Sequence, residues 1–180
     1  MFRRHAEIWS TLIAVVVVTA LYAVAYLQAG AFPIASGLIG HGIGIAGFVL
    51  MLMTEVLYTI RKRLADARWG SMASWLQFHI VTGLVGPYMV LLHTAMRFQG
   101  LAGVLTLLTV VVVASGLVGR YLYTAVPIAD EQGTGGAAHA TTRRRVLAAW
   151  RAVHLPLTWT LFALAFVHVV AALYYATLQR

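Results

Sequence analysis

The chain has 180 residues, 61% of them hydrophobic and only 10% charged, with a mean hydropathy of +0.84 and a formal net charge of +8. A soluble domain of this size needs far more polar surface, and the basic residues sit between long apolar runs, which reads as membrane topology and not as nucleic-acid binding. With no cysteine, the chain itself cannot attach c-type haem, ligate an iron–sulfur cluster through thiolates or form a disulfide.

Crossing about 30 Å of hydrocarbon takes about 20 mostly apolar residues in a helix. Five stretches qualify, and they predict an all-α bundle of five transmembrane helices in one domain. The first, Ile8–Gln28, follows Arg3 and Arg4 but is too long for a signal-peptide core and is read as a retained helix. The next three are Gly37–Ile60, Trp75–Arg97 and Leu101–Tyr123. Pro127 to Ala149 holds Gly133, Gly135, Gly136, Asp130 and Glu131 and reads as a flexible cytoplasmic loop, either a solvated linker or a docking segment. The fifth helix is Val153–Ala176. The 180 residues leave no room for a flavin or nicotinamide fold, and no glycine fingerprint follows a strand.

Five crossings put the termini on opposite sides. With the N-terminus cytoplasmic and the C-terminus outside, the inner segments carry Arg3, Arg4, Arg61, Lys62, Arg63, Arg68, Arg120, Arg143, Arg144, Arg145 and Arg151, and the outer ones only Arg97 and Arg180. That asymmetry is the positive-inside pattern. It points to a multi-pass protein of a bacterial inner membrane, with the Arg61 and Arg143 clusters against anionic headgroups. Trp9, Trp69, Trp75 and Trp150 fall near inner helix ends, as an interfacial aromatic belt does.

Of seven histidines, His5 and His139 lie in polar segments. His79 and His93 are fourteen residues apart in the third helix, and His154 and His168 fourteen apart in the fifth. Fourteen steps of about 100° fall only about 40° short of four turns, so each pair shares a helix face, about 21 Å apart along the axis. An ionisable side chain in hydrocarbon is costly and marks a functional interior position. The third and fifth helices run in the same direction, which sets His79 level with His154 and His93 level with His168. Two imidazoles on opposite faces of a porphyrin are the ligand set of a low-spin haem. The residues therefore predict two b-type haems, the first pair on the cytoplasmic side and the second on the outer side. The competing readings are four separate histidines bonded to backbone or hydroxyl groups, and zinc, whose tetrahedral sites gather ligands at shorter range.

The paired His-x13-His helices resemble the dihaem membrane cytochromes b and the ferric-reductase/NADPH-oxidase transmembrane domain, over about half the chain. The resemblance implies transmembrane electron transfer in a redox complex, with a quinone pool, a cytochrome c or an iron–sulfur or flavoprotein subunit as partner. The Pro-Glu-Trp-Tyr quinol-site motif of the first family and the appended flavin domain of the second are missing from the sequence, so neither family's particular reaction is implied. The other classes kept open are a haem-free structural or assembly subunit and a small quinone or metal reductase.

Around the histidines, Gly83, Gly86, Gly116 and Gly119 admit either a flat macrocycle or a neighbouring helix. Pro87 predicts a bend between His79 and His93. Arg97, four residues past His93, and Arg120 are candidates for haem propionates or for headgroups. His41 and Glu55, also fourteen apart, are candidates for a quinone site or proton path. His41 is also an alternative haem ligand or propionate partner, Glu55 a partner for Arg61, and both equally serve packing. The run Gly37, Gly40, Gly44 and Gly47 reads first as a close helix contact.

Overall fold

The computed structural model describes residues 6–30, 37–63, 70–125 and 136–178. These form five α-helices and no strand: α1 (Ala6–Ala29), α2 (Leu38–Arg63), α3 (Met72–His93), α4 (Gly100–Ala125) and α5 (Gly136–Leu178). Each is long and apolar enough to cross a membrane, so the chain is a multi-pass integral membrane protein. Arg3, Arg4, His5, Arg68, Trp69, Arg180 and the part of the long connection at 127–135 lie outside the described residues, as do the side chains of Tyr123, His139 and Arg143.

Two boundaries differ from the sequence expectation by four residues or more. The third helix ends at His93, four residues early. Thr94 caps it, its Oγ1 donating to Leu91 O (2.7 Å) and accepting from Met96 N (3.2 Å), while Ala95 (φ 48°) and Met96 (φ 59°) take left-handed backbone and turn the chain away. The fifth helix begins at Gly136, so residues 136–149, expected as loop, are helical. No proline interrupts 136–155, and its alanines, arginines and leucines are strong helix formers. At 43 residues, α5 is about 65 Å long, roughly twice the hydrocarbon thickness.

The chain, read as one domain, divides into two compact units: 1–98 with α1 to α3, and 99–180 with α4 and α5. In the first, α2 and α3 pack through glycines. A β-carbon on Gly47 would stand 2.8 Å from Gly86 O, and one on Gly86 2.9 Å from Gly47 O, so only glycine allows this approach. Gly83 faces α2 as well, with Thr54 Cγ2 at 3.5 Å from its ideal β-carbon position. α1 meets α3 where Thr19 Oγ1 and Tyr88 OH lie 2.6 Å apart; Thr19 already donates to Val15 O, so Tyr88 is the donor.

Among the described residues, the buried polar ones are threonines: Thr54, Thr82, Thr94, Thr109 and Thr158. Each returns its hydroxyl to a carbonyl three or four residues back, and the Thr54 and Thr82 hydroxyls also meet at 2.6 Å between α2 and α3. Large apolar side chains such as Leu27, Ile45, Leu107 and Phe166 are exposed. This distribution suits a lipid solvent, where polar groups must be satisfied inside and apolar ones face out.

Candidate functional site

The first unit holds His79 and His93, both half-buried on α3 and both turned to α2. His93 Nδ1 lies 2.8 Å from Gly40 O, and His79 Nδ1 lies 3.3 Å from Thr54 O. A carbonyl only accepts, so both rings carry their proton on Nδ1 and their lone pair on Nε2. Among the described residues no hydrogen bond engages Nε2 of either ring. The two acceptors are themselves fourteen residues apart, so α2 presents carbonyls at the same interval at which α3 presents imidazoles. The Gly47–Gly86 crossing lies seven residues from each anchor on both helices.

Glycine explains how an imidazole reaches a main-chain carbonyl inside a helix. A β-carbon on Gly44 would stand 2.7 Å from Cγ and 2.8 Å from Nδ1 of His93. The ring occupies the groove that the missing side chain leaves. At the other level the Tyr58 ring lies 4.8 Å from that of His79, between centroids. His79 stands near the Arg61-Lys62-Arg63 end of α2, and His93 toward the opposite end.

The second unit holds His154 and His168, both half-buried on α5. His154 Nδ1 lies 2.6 Å from Ser115 Oγ of α4. Trp150, one turn earlier, stacks on the His154 ring (5.0 Å between centroids, 21° between planes), and its Nε1 donates to Ser115 O at 2.8 Å. Gly119 makes room for the indole, which a β-carbon there would strike, and the Gly116 β-carbon position is 3.7 Å from His154 Cε1. The sequence placed Gly116 and Gly119 here. It missed Ser115, and it read Trp150 only as a belt residue although an i, i+4 spacing to His154 was visible.

The remaining candidates fall as follows. His41 is exposed on α2, with Nδ1 3.3 Å from Gly37 O and its ring centroid 6.2 Å from that of His93. Glu55 is half-buried, and its Oε1 accepts from Thr59 Oγ1 at 3.4 Å. They follow Gly40 and Thr54 by one residue, so each flanks one histidine anchor. Arg97 is exposed beyond the end of α3, its backbone N–H donating to Thr94 O at 2.9 Å. The one-turn relation to His93 that a continuous helix would have given is absent. Arg120 is half-buried on α4.

The ring orientation of His79 and His93 is the one a metal-bound histidine takes. A metal-bound histidine characteristically donates its other N–H to a carbonyl or similar acceptor, which fixes the tautomer and raises ligand basicity. His79 and His93 meet that condition through α2. Among the described residues no three potential metal ligands of the His, Asp or Glu type come together, a grouping that a two-ligand haem site does not require. No protein-family model, curated protein or solved structure matches the chain.

Proposed function

We propose that this chain is the membrane subunit of a redox complex, carrying electrons between the two faces of a bacterial inner membrane through two b-type haems. His79 with His154 would hold one, and His93 with His168 the other. The observation that carries the reading is the anchoring of His79 and His93. Two rings fourteen residues apart give their Nδ1 protons to two carbonyls fourteen residues apart, and among the described residues neither Nε2 has a hydrogen-bond partner. Bound haem supplies a one-electron carrier whose potential follows its axial ligands, hydrogen bonds and burial. The protein's own part is to fix the tautomers, hold the ring planes and exclude water.

The partners that suit this role are a quinone on the membrane side and a cytochrome c, iron–sulfur or flavoprotein subunit on the aqueous side. The arginine asymmetry supports a cytoplasmic N-terminus and a cytoplasmic His79 level. Arg97 and Arg120 remain candidates for propionates, and His41 and Glu55 for a quinone or proton site.

The histidine-to-carbonyl bonds favour one competing reading, a haem-free subunit whose histidines serve packing. The difference lies at Nε2, since a purely structural imidazole in hydrocarbon gains by satisfying both nitrogens. Pyridine-haemochrome analysis of the purified protein separates the two. About two haems b per chain, lost in part on His79→Ala or His168→Ala, is the expected result. Protein of native fold without haem b overturns the proposal.

A further inference from the structure

We infer that Ser115 is a positioning residue for His154, its hydroxyl accepting the Nδ1 proton and so setting the donor strength of Nε2. The inference rests on the reading of His154 as a haem ligand. Ser115 Oγ donates its one proton to Val112 O at 2.9 Å. It also lies 2.6 Å from His154 Nδ1; with Nε2 of His154 as the metal-ligating nitrogen, Nδ1 carries the ring proton, and the imidazole is the donor to the serine oxygen. The same serine accepts Trp150 Nε1–H on its carbonyl, and Trp150 lies flat on the His154 ring. One residue of α4 thus governs both the in-plane direction of the ring and the indole that covers its face.

Ser115 differs in kind from the acceptors in the first unit. His79 and His93 lean on main-chain carbonyls, which substitution cannot remove, whereas His154 leans on a side chain. An acceptor on the distal N–H makes an imidazole a stronger donor to its metal. Greater donation favours ferric over ferrous iron, so the Ser115 hydroxyl holds the potential of that haem down.

The test is a redox titration of the purified full-length protein with its haem. Ser115→Ala should move one of the two components to higher potential. The loss of one hydrogen bond should favour reduction by about threefold to tenfold, a tenfold change being 59 mV for one electron. The other component should stay in place. Ser115→Thr keeps a hydroxyl and should restore the original value. Ser115→Cys, with a weak sulfur acceptor, should shift in the same direction by less, and it serves if the alanine protein fails to assemble. Two unmoved components in the alanine and cysteine proteins overturn the inference and leave the ligand reading standing. A threonine protein shifted as far as the alanine protein also overturns it, because packing and not the hydroxyl would then be responsible. Unmodified protein of native fold without haem overturns the ligand reading, and this inference with it.

Discussion

Gly44→Ala asks whether His93 is seated as described. The added β-carbon would lie 2.7 Å from Cγ, 2.8 Å from Nδ1 and 3.1 Å from Cδ2 of His93, where carbon atoms prefer about 3.5–4.0 Å. An imidazole cannot yield at one atom; the whole ring must move and surrender its 2.8 Å bond to Gly40 O. Overpacking costs about 1–3 kcal/mol, and the hydrogen bond about 0.5–1.5 kcal/mol. Alanine returns about 1 kcal/mol of helix propensity. The net expectation is a loss of about 1–3 kcal/mol. Gly42→Ala is the matched control, two residues away in the same helix with nothing within 4 Å of its β-carbon position; it should be neutral or slightly stabilising. Thermal unfolding of the detergent-solubilised protein compares the two. If the proposed haems are present, their quantification adds a second readout, with the His93-level haem depleted and the other retained in Gly44→Ala. Equal unfolding of the two variants, with equal haem content, would refute the placement of the His93 ring against α2.

Gly86→Ala sets a β-carbon 2.9 Å from Gly47 O and 2.8 Å from Met51 Cγ, which forces α2 and α3 apart at the crossing midway between both anchors. On the proposed haem reading, both levels should lose haem together, and selective loss at one level would contradict the symmetric register. Gly119→Ala should evict the Trp150 indole from Ser115 O and from the His154 face. The readout is a red-shifted emission component absent from a Trp150→Phe background, and unchanged emission would count against the stack. Tyr88→Phe removes the bond to Thr19 between α1 and α3, worth about 0.6 kcal/mol on average for such pairs in membranes. A double-mutant cycle with Thr19→Val measures the coupling, and a value indistinguishable from zero removes this contact from the account.

Helix number and type were legible because hydropathy in a membrane chain is a strong, local signal. Twenty apolar residues read as a span wherever they are placed. Boundaries were less so, because caps are made by single residues. Nothing in the apolar run up to Arg97 forecasts that Thr94 will cap α3 at His93. Nor did the long connection betray a helix over 136–149: its glycines and acidic residues lie at 130–136, whereas 137–149 is dominated by alanines and arginines, which favour helix. Arg97 shows the consequence for a site, since its expected one-turn relation to His93 depended on that boundary.

For the first unit, the anchors themselves follow from chain geometry. The pairs Gly40–His93, Gly47–Gly86 and Thr54–His79 all straddle the same sequence midpoint, between residues 66 and 67, inside the connection from α2 to α3. Antiparallel helices joined by a short connection bring residues equidistant from it to the same level. His41 and Glu55 share the fourteen-residue interval, but the acceptors for His93 and His79 are the carbonyls one residue before them, and a main-chain atom leaves no mark in composition. The second unit breaks the rule. Ser115 and His154 straddle residues 134 and 135, whereas the interval between α4 and α5 is centred near residue 130. A midpoint displaced by about four residues means a register displaced by about eight, or roughly 12 Å of rise. The N-terminal turns of α5 therefore run past the end of α4. A connection of that length does not dictate register, so packing must. Gly119 under the Trp150 ring and Ser115 under His154 are the interlocking shapes that select it, which is why the acceptor for His154 emerged only from the folded structure.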